Sequence, residues 1–208
     1  MGVITISAAY AAGGSEIGPA VAHDLGVQFY DRAISQEVAA KLGVTEADVE
    51  QREGRNEGRF WRLLASMAIV PDPTGANPLA GSGFGDEREY RVETERVLRQ
   101  IASAGGVVLG RAAAVVLADH PDALHVRLTA PKRWRIAEHA RIEGIPGEQA
   151  KRDVEQNDRA REGYVKQLYR ADPRDPKHYH LVIDTGAFSW PAATELIVQA
   201  ARHKGIAG

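Results

Sequence analysis

Residues 4–18 read ITISAAYAAGGSEIG, and this stretch decides the fold of the chain. A β-rich run from Ile4 to Ser7 leads through a turn of small residues into a helical pattern. Small residues let backbone N–H groups approach an anion, and the helix dipole favours its negative charge. The pattern predicts an anion site; the alternative is a tight strand-to-helix turn that binds nothing.

The same stretch partly meets the phosphate-loop pattern G-x-x-x-x-G-K-[ST]. Gly13 and Ser15 fit, whereas Ala8 replaces the first glycine of the pattern. Gly14 stands where the pattern has a lysine that binds phosphate. This missing ammonium group is the main chemical objection to phosphoryl transfer at the turn.

Four further short runs with strand character follow, each separated from the next by longer segments. They lie at residues 28–31, 106–110, 125–128 and 181–184. Near-continuous apolar runs with helices between them are typical of buried parallel strands, so we expect an α/β fold. No linker or internal repeat interrupts the chain, which predicts a single domain over residues 1–208.

The composition excludes several classes of function. The 26 Lys and Arg residues nearly balance 28 Asp and Glu residues, which predicts neither a nucleic-acid nor a membrane-surface partner. The chain has no cysteine, and His178 and His180 lack accompanying ligands, so we expect no metal site built by the protein alone. No apolar run reaches the roughly 20 residues of a membrane-spanning helix. The beginning, MGVITIS, is typical of a strand rather than a signal peptide, so we expect a cytoplasmic protein.

Two polar pairs follow predicted strands. Gly110 and Arg111 end one strand, and Asp31 and Arg32 follow another. Ligands of open parallel sheets gather at the carboxyl ends of the strands, where an arginine can bind phosphate through two hydrogen bonds. The alternatives are an arginine paired with a nearby carboxylate and a helix cap beside a solvated charge.

The segment from Gly147 to Tyr169 has helical spacing, with Ala150, Val154, Val165 and Leu168 directed inward. Asn157, Asp158 and Arg161 fall within the same stripe. Polar side chains on an inward face need partners, so they form either an ion-pair network or part of a ligand site. A solvated helix surface crossed by salt bridges is the alternative.

The middle of the chain is less informative. Residues 71–86 are dense in proline and glycine, which indicates a loop. The apolar stripe within residues 60–70 belongs either to the core or to the face of a homodimer.

In their order and spacing, these segments resemble the cytidylate kinase-like family, a branch of the P-loop nucleoside monophosphate kinases. The resemblance runs through residues 3–34, 107–131, 143–169 and 172–201 and includes VVLGRAAAVV and VEQNDRAREGY. It implies a three-layer P-loop fold, in which helices flank a five-stranded parallel sheet and one helical segment forms a lid. It also implies a helical acceptor-binding insertion at about residues 35–95 and a lid at about residues 143–177.

The resemblance implies ATP with Mg²⁺ as the cofactor and a small-molecule nucleotide such as CMP as the acceptor. Asp31 and Arg32 would border the acceptor, and Arg111 would bind its phosphate. Arg111, Asp158 and Arg161 would be the catalytic residues. The phosphate loop would comprise Ala12, Gly13, Gly14, Ser15 and Glu16.

The phosphate loop departs from the family pattern. Members often show S-R-E-Y-G-S-G-G-R-E, and Ala8 and Ser15 stand where those arginines would be. Arg111, Arg159 or Arg161 would therefore have to supply the missing charge. Two alternatives to a nucleoside monophosphate kinase stay open: a catalytically inactive nucleotide sensor or scaffold, and a kinase for a small non-nucleotide acceptor.

Overall fold

The computed structural model describes residues 2–31 and 87–206. Five strands form one sheet: β1 (Val3–Ala8), β2 (Phe29–Tyr30), β3 (Gly106–Leu109), β4 (Ala123–Thr129) and β5 (Leu181–Asp184). Six α-helices accompany them in the described ranges: α1 (Gly14–Leu25), α2 (Glu87–Ala104), α3 (Ala113–Val116), α4 (Lys132–Glu143), α5 (Gly147–Tyr169) and α6 (Trp190–His203).

The sheet is parallel throughout and has the order β2-β3-β1-β4-β5. The expected five-stranded parallel sheet is thereby confirmed. Strand β1 is central, and Ile6 pairs with Leu109 of β3 on one side and with Val126 of β4 on the other. The turn after β1 therefore lies in the middle of the carboxyl edge, where ligands of such sheets gather.

Two apolar layers cover the sheet because alternate residues of each strand point to opposite faces. Ile4 and Ile6 pack with α1 and α6, whereas Val3 packs with α2, α3 and α5. The four apolar residues predicted to face inward on α5 are all buried. That confirms the orientation of this helix.

Two details of the helices differ from expectation. A proline is tolerated best in the first turn of a helix, so the sequence predicts Pro19 in or near the first turn of α1. Pro19 is the sixth residue of α1, because the helix already begins at Gly14. The carbonyl group that its missing N–H would have bonded belongs to Ser15, in the first turn. The spacing of Leu196, Ile197 and Ala200 predicts that all three face the core. Leu196 is instead 42% exposed, because Ala193, Ile197 and Ala201 form the buried face of α6.

Parts of the predicted middle segment lie outside the described residues. These are Arg32, the apolar stripe within residues 60–70, the loop at residues 71–86 and most of the insertion at about residues 35–95. The described chain resumes with α2 at Glu87, and α2 leads directly into β3.

Candidate functional site

The turn between β1 and α1 is held in shape by backbone hydrogen bonds. Ala9 N donates to Leu128 O of β4 at 3.0 Å, and Ala12 N donates to Ala9 O at 3.1 Å. Ala11 and Gly13 both have positive φ angles, 60° and 80°. No side chain caps the amino end of α1. The turn therefore presents an uncapped helix N-terminus at the carboxyl edge of the sheet.

Two glycines in this turn are required by close packing. A Cβ atom on Gly13 would lie 2.6 Å from Nε1 of Trp190, and a Cβ atom on Gly14 would lie 2.7 Å from that of Ala8. Thr185 Oγ1 donates to Ala12 O at 3.1 Å and ties the turn to the end of β5. Glycine thus lets the turn pack against both its own strand and the indole ring.

An ion pair between α4 and α5 fixes the backbone around Tyr10. Arg135 Nη1 lies 2.8 Å from Asp158 Oδ2 and donates to Tyr10 O at 2.8 Å. Tyr10 N donates to Asp158 Oδ1 at 3.0 Å. Arg135 also donates through Nε to Ala130 O at 3.1 Å. Helices α4 and α5 are therefore both attached to the turn through one buried pair.

Arg161 lies beside the same turn, one helical turn further along α5. Its Nη1 donates to Ala8 O at 3.1 Å, and its guanidinium carbon lies 5.3 Å from the centroid of the Tyr10 ring. Burial lowers the pKa of Arg161, and the charges of Asp158 and Asp31 oppose that shift. An arginine stays protonated despite such a shift, so the site holds a fixed positive charge.

The ring of Tyr10 contacts residues of both α4 and α5. Its ring meets that of His139 edge-on, with centroids 5.1 Å apart, and His139 Nε2 lies 3.4 Å from Asp153 Oδ2. Burial is the largest cause that raises the pKa of Tyr10. The phenol therefore stays neutral at physiological pH, where its face can attract the Arg161 cation.

Arg111 leaves the sheet at the end of β3 in an unusual conformation. Gly110, Arg111 and Ala112 all have positive φ angles, 77°, 56° and 55°. Gly110 N donates to Ile6 O at 2.9 Å, which anchors the segment to β1. The positive charge of Arg111 also contributes to lowering the pKa of Arg161. Two consecutive non-glycine residues with left-handed backbone angles carry conformational strain, which often accompanies functional sites.

An open cleft of about 340 Å³ adjoins the turn. Trp134 and Glu138 of α4 form one wall, and the chain from Thr185 to Pro191 forms the other. Phe188 is 48% exposed there. Glu138 is already held by Arg141, whose Nη2 lies 2.7 Å from Oε1, and this hydrogen bond lowers the pKa of Glu138. The cleft therefore offers aromatic surfaces rather than a free carboxylate.

The structure brings most of the expected site residues to one edge of the sheet. The turn residues, Asp31, Arg111, Asp158 and Arg161 lie there, and Ser15 and Glu16 are exposed at the start of α1. Arg159 is different, because its side chain is 80% exposed and pairs with Glu155 at 3.6 Å. It points away from the turn and is a poor source of the missing charge.

Sequence reasoning missed Arg135, Tyr10 and Trp190. A signal for Arg135 was available, because Arg135 and His139 are four residues apart and share one face of α4. Both are buried. Polar residues on an inward helix face need partners, so the spacing of Arg135 and His139 indicates a polar contact for α4, as Asp158 and Arg161 do for α5.

Within the described ranges, no group of three or more acidic or histidine side chains could hold a metal ion. Nor is any helix in those ranges long and apolar enough to cross a membrane.

A family model that spans most of the chain identifies its family. The sequence model of the cytidylate kinase-like family matches residues 3–187. A cytidylate kinase from Methanopyrus kandleri is 36% identical over 113 residues, which are 50% of this chain and 58% of that protein. A uronate isomerase from Corynebacterium glutamicum is 28% identical over 144 residues, 69% of this chain but only 27% of that protein. The chain thus spans less than two thirds of either relative.

A crystal structure of an uncharacterized protein from Eubacterium ventriosum shares the fold. The two structures superimpose with a TM-score of 0.68 at 16% sequence identity, and the match covers 97% of this chain and 99% of that protein. At that identity, the likeness bears on the fold alone.

Proposed function

Because the chain belongs to the cytidylate kinase-like family, a family of kinase-like, nucleotide-binding proteins, we propose that it transfers a phosphoryl group from ATP to a nucleoside monophosphate such as CMP. In this reaction an oxygen of the acceptor phosphate bonds to the γ-phosphorus of ATP. The bond from that phosphorus to the β,γ-bridging oxygen breaks, and ADP leaves with the electron pair. The protein contributes positions and charges rather than covalent chemistry.

The turn after β1 is the proposed site of the donor phosphates. Its carbonyl groups are engaged by Arg135, Arg161 and Thr185, which keeps the turn in one conformation. The uncapped amino end of α1 then supplies N–H donors and the positive end of its dipole.

The donor base fits the adjoining cleft. Trp134, Phe188 and Trp190 line this cleft, and Trp190 lies next to Gly13. Stacking on aromatic rings binds a purine without requiring a charged partner.

The single observation that supports phosphoryl transfer most strongly is the position of Arg161. It donates to Ala8 O at the start of the phosphate turn, and it also lies in the field of Asp31 and Arg111, the residues assigned to the acceptor. One fixed cation therefore lies between the proposed donor and acceptor sites, where negative charge develops in the transition state. That position compensates for the lysine that the turn lacks.

Magnesium fits this arrangement. In phosphoryl transfer Mg²⁺ keeps several waters and binds substrate phosphates, so it needs few protein oxygens. The exposed hydroxyl group of Ser15, in the first turn of α1, is the oxygen this chain would offer. When bound, the ion neutralises charge on the transferring phosphate.

The test is a screen for acceptor-dependent ADP release by the folded protein with MgATP. CMP, UMP, AMP and small non-nucleotide hydroxyl compounds are supplied in parallel. We expect the fastest release with a pyrimidine monophosphate. Release only with a non-nucleotide acceptor would replace the acceptor assignment, and release with none of them would reject phosphoryl transfer.

A nucleotide sensor without activity is the second candidate, and two observations favour it. No residue from Ala8 to Glu16 carries a positive charge, and the N–H group of Tyr10 is already bound to Asp158. Calorimetric titration with MgATP and with CMP separates the candidates when combined with the screen. Binding without turnover supports the sensor, whereas binding of both nucleotides with turnover supports the kinase.

A further inference from the structure

Arg127 of β4 is a cation with no role in the proposed reaction. Its Nη1 donates to Ser7 Oγ at 2.7 Å, and its guanidinium carbon lies 6.0 Å from the centroid of the Tyr179 ring. Tyr179 is itself fixed, because its hydroxyl group donates to Pro173 O at 2.7 Å. The guanidinium group is therefore held in one place.

Among the described residues, no carboxylate pairs with Arg127. Its side chain is half-buried. Two arginines of the candidate site have carboxylates near them: Arg135 pairs with Asp158, and the charges of Asp158 and Asp31 act on Arg161. A guanidinium group has five N–H donors, so one that is held in place by a single hydrogen bond, with no carboxylate partner among the described residues, is suited to bind an anion.

The position of Arg127 identifies which ligand can reach it. Arg127 pairs with Ser7 in the β4–β1 register, and the next residue of β1, Ala8, accepts the hydrogen bond from Arg161. On the other side of β1, Gly110 is bonded to Ile6 and precedes Arg111. Two strand spacings, roughly 10 Å, separate the backbones of Arg111 and Arg127. Side chains of this length can meet at one anion across that gap.

We propose that Arg127 is an additional anion-binding residue of the acceptor site, where it donates to an oxygen of the acceptor's phosphate. The identity of the acceptor rests on the proposed function, but the binding of the anion does not. Nη1 keeps its bond to Ser7, which aims the guanidinium group, and the remaining N–H groups bind the ligand.

The test measures binding of inorganic phosphate by calorimetry in the wild-type protein and in Arg127→Gln. The matched control is Arg99→Gln, which makes the same chemical change at an exposed site on α2. We expect phosphate affinity to fall at least tenfold in Arg127→Gln and to stay within twofold of wild type in the control. If Arg127→Gln does not fold, Arg127→Lys keeps the charge but loses the planar fork, and a threefold or larger loss is expected.

Steady-state kinetics provide the second measurement. We expect the KM for CMP to rise tenfold or more in Arg127→Gln, with the KM for ATP unchanged. Equal phosphate affinity in wild type and variant, a loss of thermal stability alone, or equal changes in both KM values would overturn the proposal. A loss of phosphate binding together with a wild-type protein inactive toward CMP would support Arg127 and reject the proposed function.

Discussion

Asp158 and Arg135 meet at 2.8 Å and together bind both the N–H and the C=O of Tyr10, in the turn between β1 and α1. The two charged residues are 23 positions apart and lie on different helices. Through this pair, the conformation of the turn depends on how α4 packs on α5. The hydrogen bonds from Arg135 and Asp158 thus add to the backbone bond between Ala12 N and Ala9 O within the turn.

Replacing Asp158 with Asn is expected to destabilise the protein. It would leave Arg135, whose side chain is 9% exposed, without its counter-charge. We expect the free energy of unfolding to fall by about 2 to 4 kcal/mol, since breaking a buried pair strands the other charge. Urea denaturation measures the change. Glu155→Gln on the same helix is the control, because Glu155 pairs with the exposed Lys132 and should leave stability unaltered.

Gly13→Ala is expected to weaken ATP binding. The φ angle of 80° disfavours any side chain, and the new Cβ atom would collide with the Trp190 ring. We expect a loss of stability of about 1 to 2 kcal/mol and a loss of ATP affinity, followed through tryptophan fluorescence. Gly147→Ala, where a Cβ atom meets nothing within 4 Å, should lower neither quantity. ATP affinity equal to wild type in Gly13→Ala would argue against the turn as the donor site.

Two variants of Tyr10 separate the contribution of its hydroxyl group from that of its aromatic ring. Tyr10→Phe keeps the aromatic face under Arg161, whereas Tyr10→Ala removes it. We expect kcat near wild type for Tyr10→Phe and a clear loss for Tyr10→Ala, because a cation over an aromatic face contributes about 1 kcal/mol or more to its placement. Equal kcat values for the two variants would show that the ring does not position Arg161.

Stability is expected to fall on acidification because of His125. Its Nδ1 is 2.8 Å from Thr5 Oγ1 and its Nε2 is 3.1 Å from Leu117 O, so the neutral ring satisfies both partners. Burial, together with the stacked His180, lowers the pKa of His125 to about 4. The unfolded chain therefore takes up a proton near pH 6.5 and the folded chain only near pH 4, so stability is full above pH 6.5 and declines below it.

Urea denaturation at pH 7.5 and pH 5 measures this effect. We expect His125 to cost about 2 kcal/mol of stability between those values, since one pKa unit corresponds to about 1.4 kcal/mol. His125→Gln removes the titrating group and should reduce the pH dependence to that of the remaining residues. An undiminished difference between the two pH values in His125→Gln would assign it to other groups.

Much of the fold could be predicted because its signals are local. The strands are short apolar runs, and the inward face of α5 follows from the spacing of Ala150, Val154 and Val165. Leu196 was misplaced because Ile197 and Val198 beside it already complete the buried stripe of α6. An apolar residue adjacent to a stripe is not necessarily part of it.

The site was only partly predictable because its key relationships are between elements. Arg111, Asp158 and Arg161 could be picked out by their positions at strand ends and on an inward helix face. The partner of Asp158 depends on how α4 crosses α5, and the contact of Trp190 with Gly13 depends on where α6 begins. Nothing in the local sequence specifies either distance.

The most direct test of the account compares two arginines on one helix. Arg161→Gln removes the cation beside Ala8, whereas Arg159→Gln removes one that is 80% exposed and lies two residues away. The measurement is CMP-dependent release of ADP from MgATP. We expect wild type and Arg159→Gln to turn over at similar rates and Arg161→Gln to be slower by about a hundredfold or more. An Arg161→Gln protein as active as wild type, or a folded wild type without CMP-dependent activity, would contradict the account.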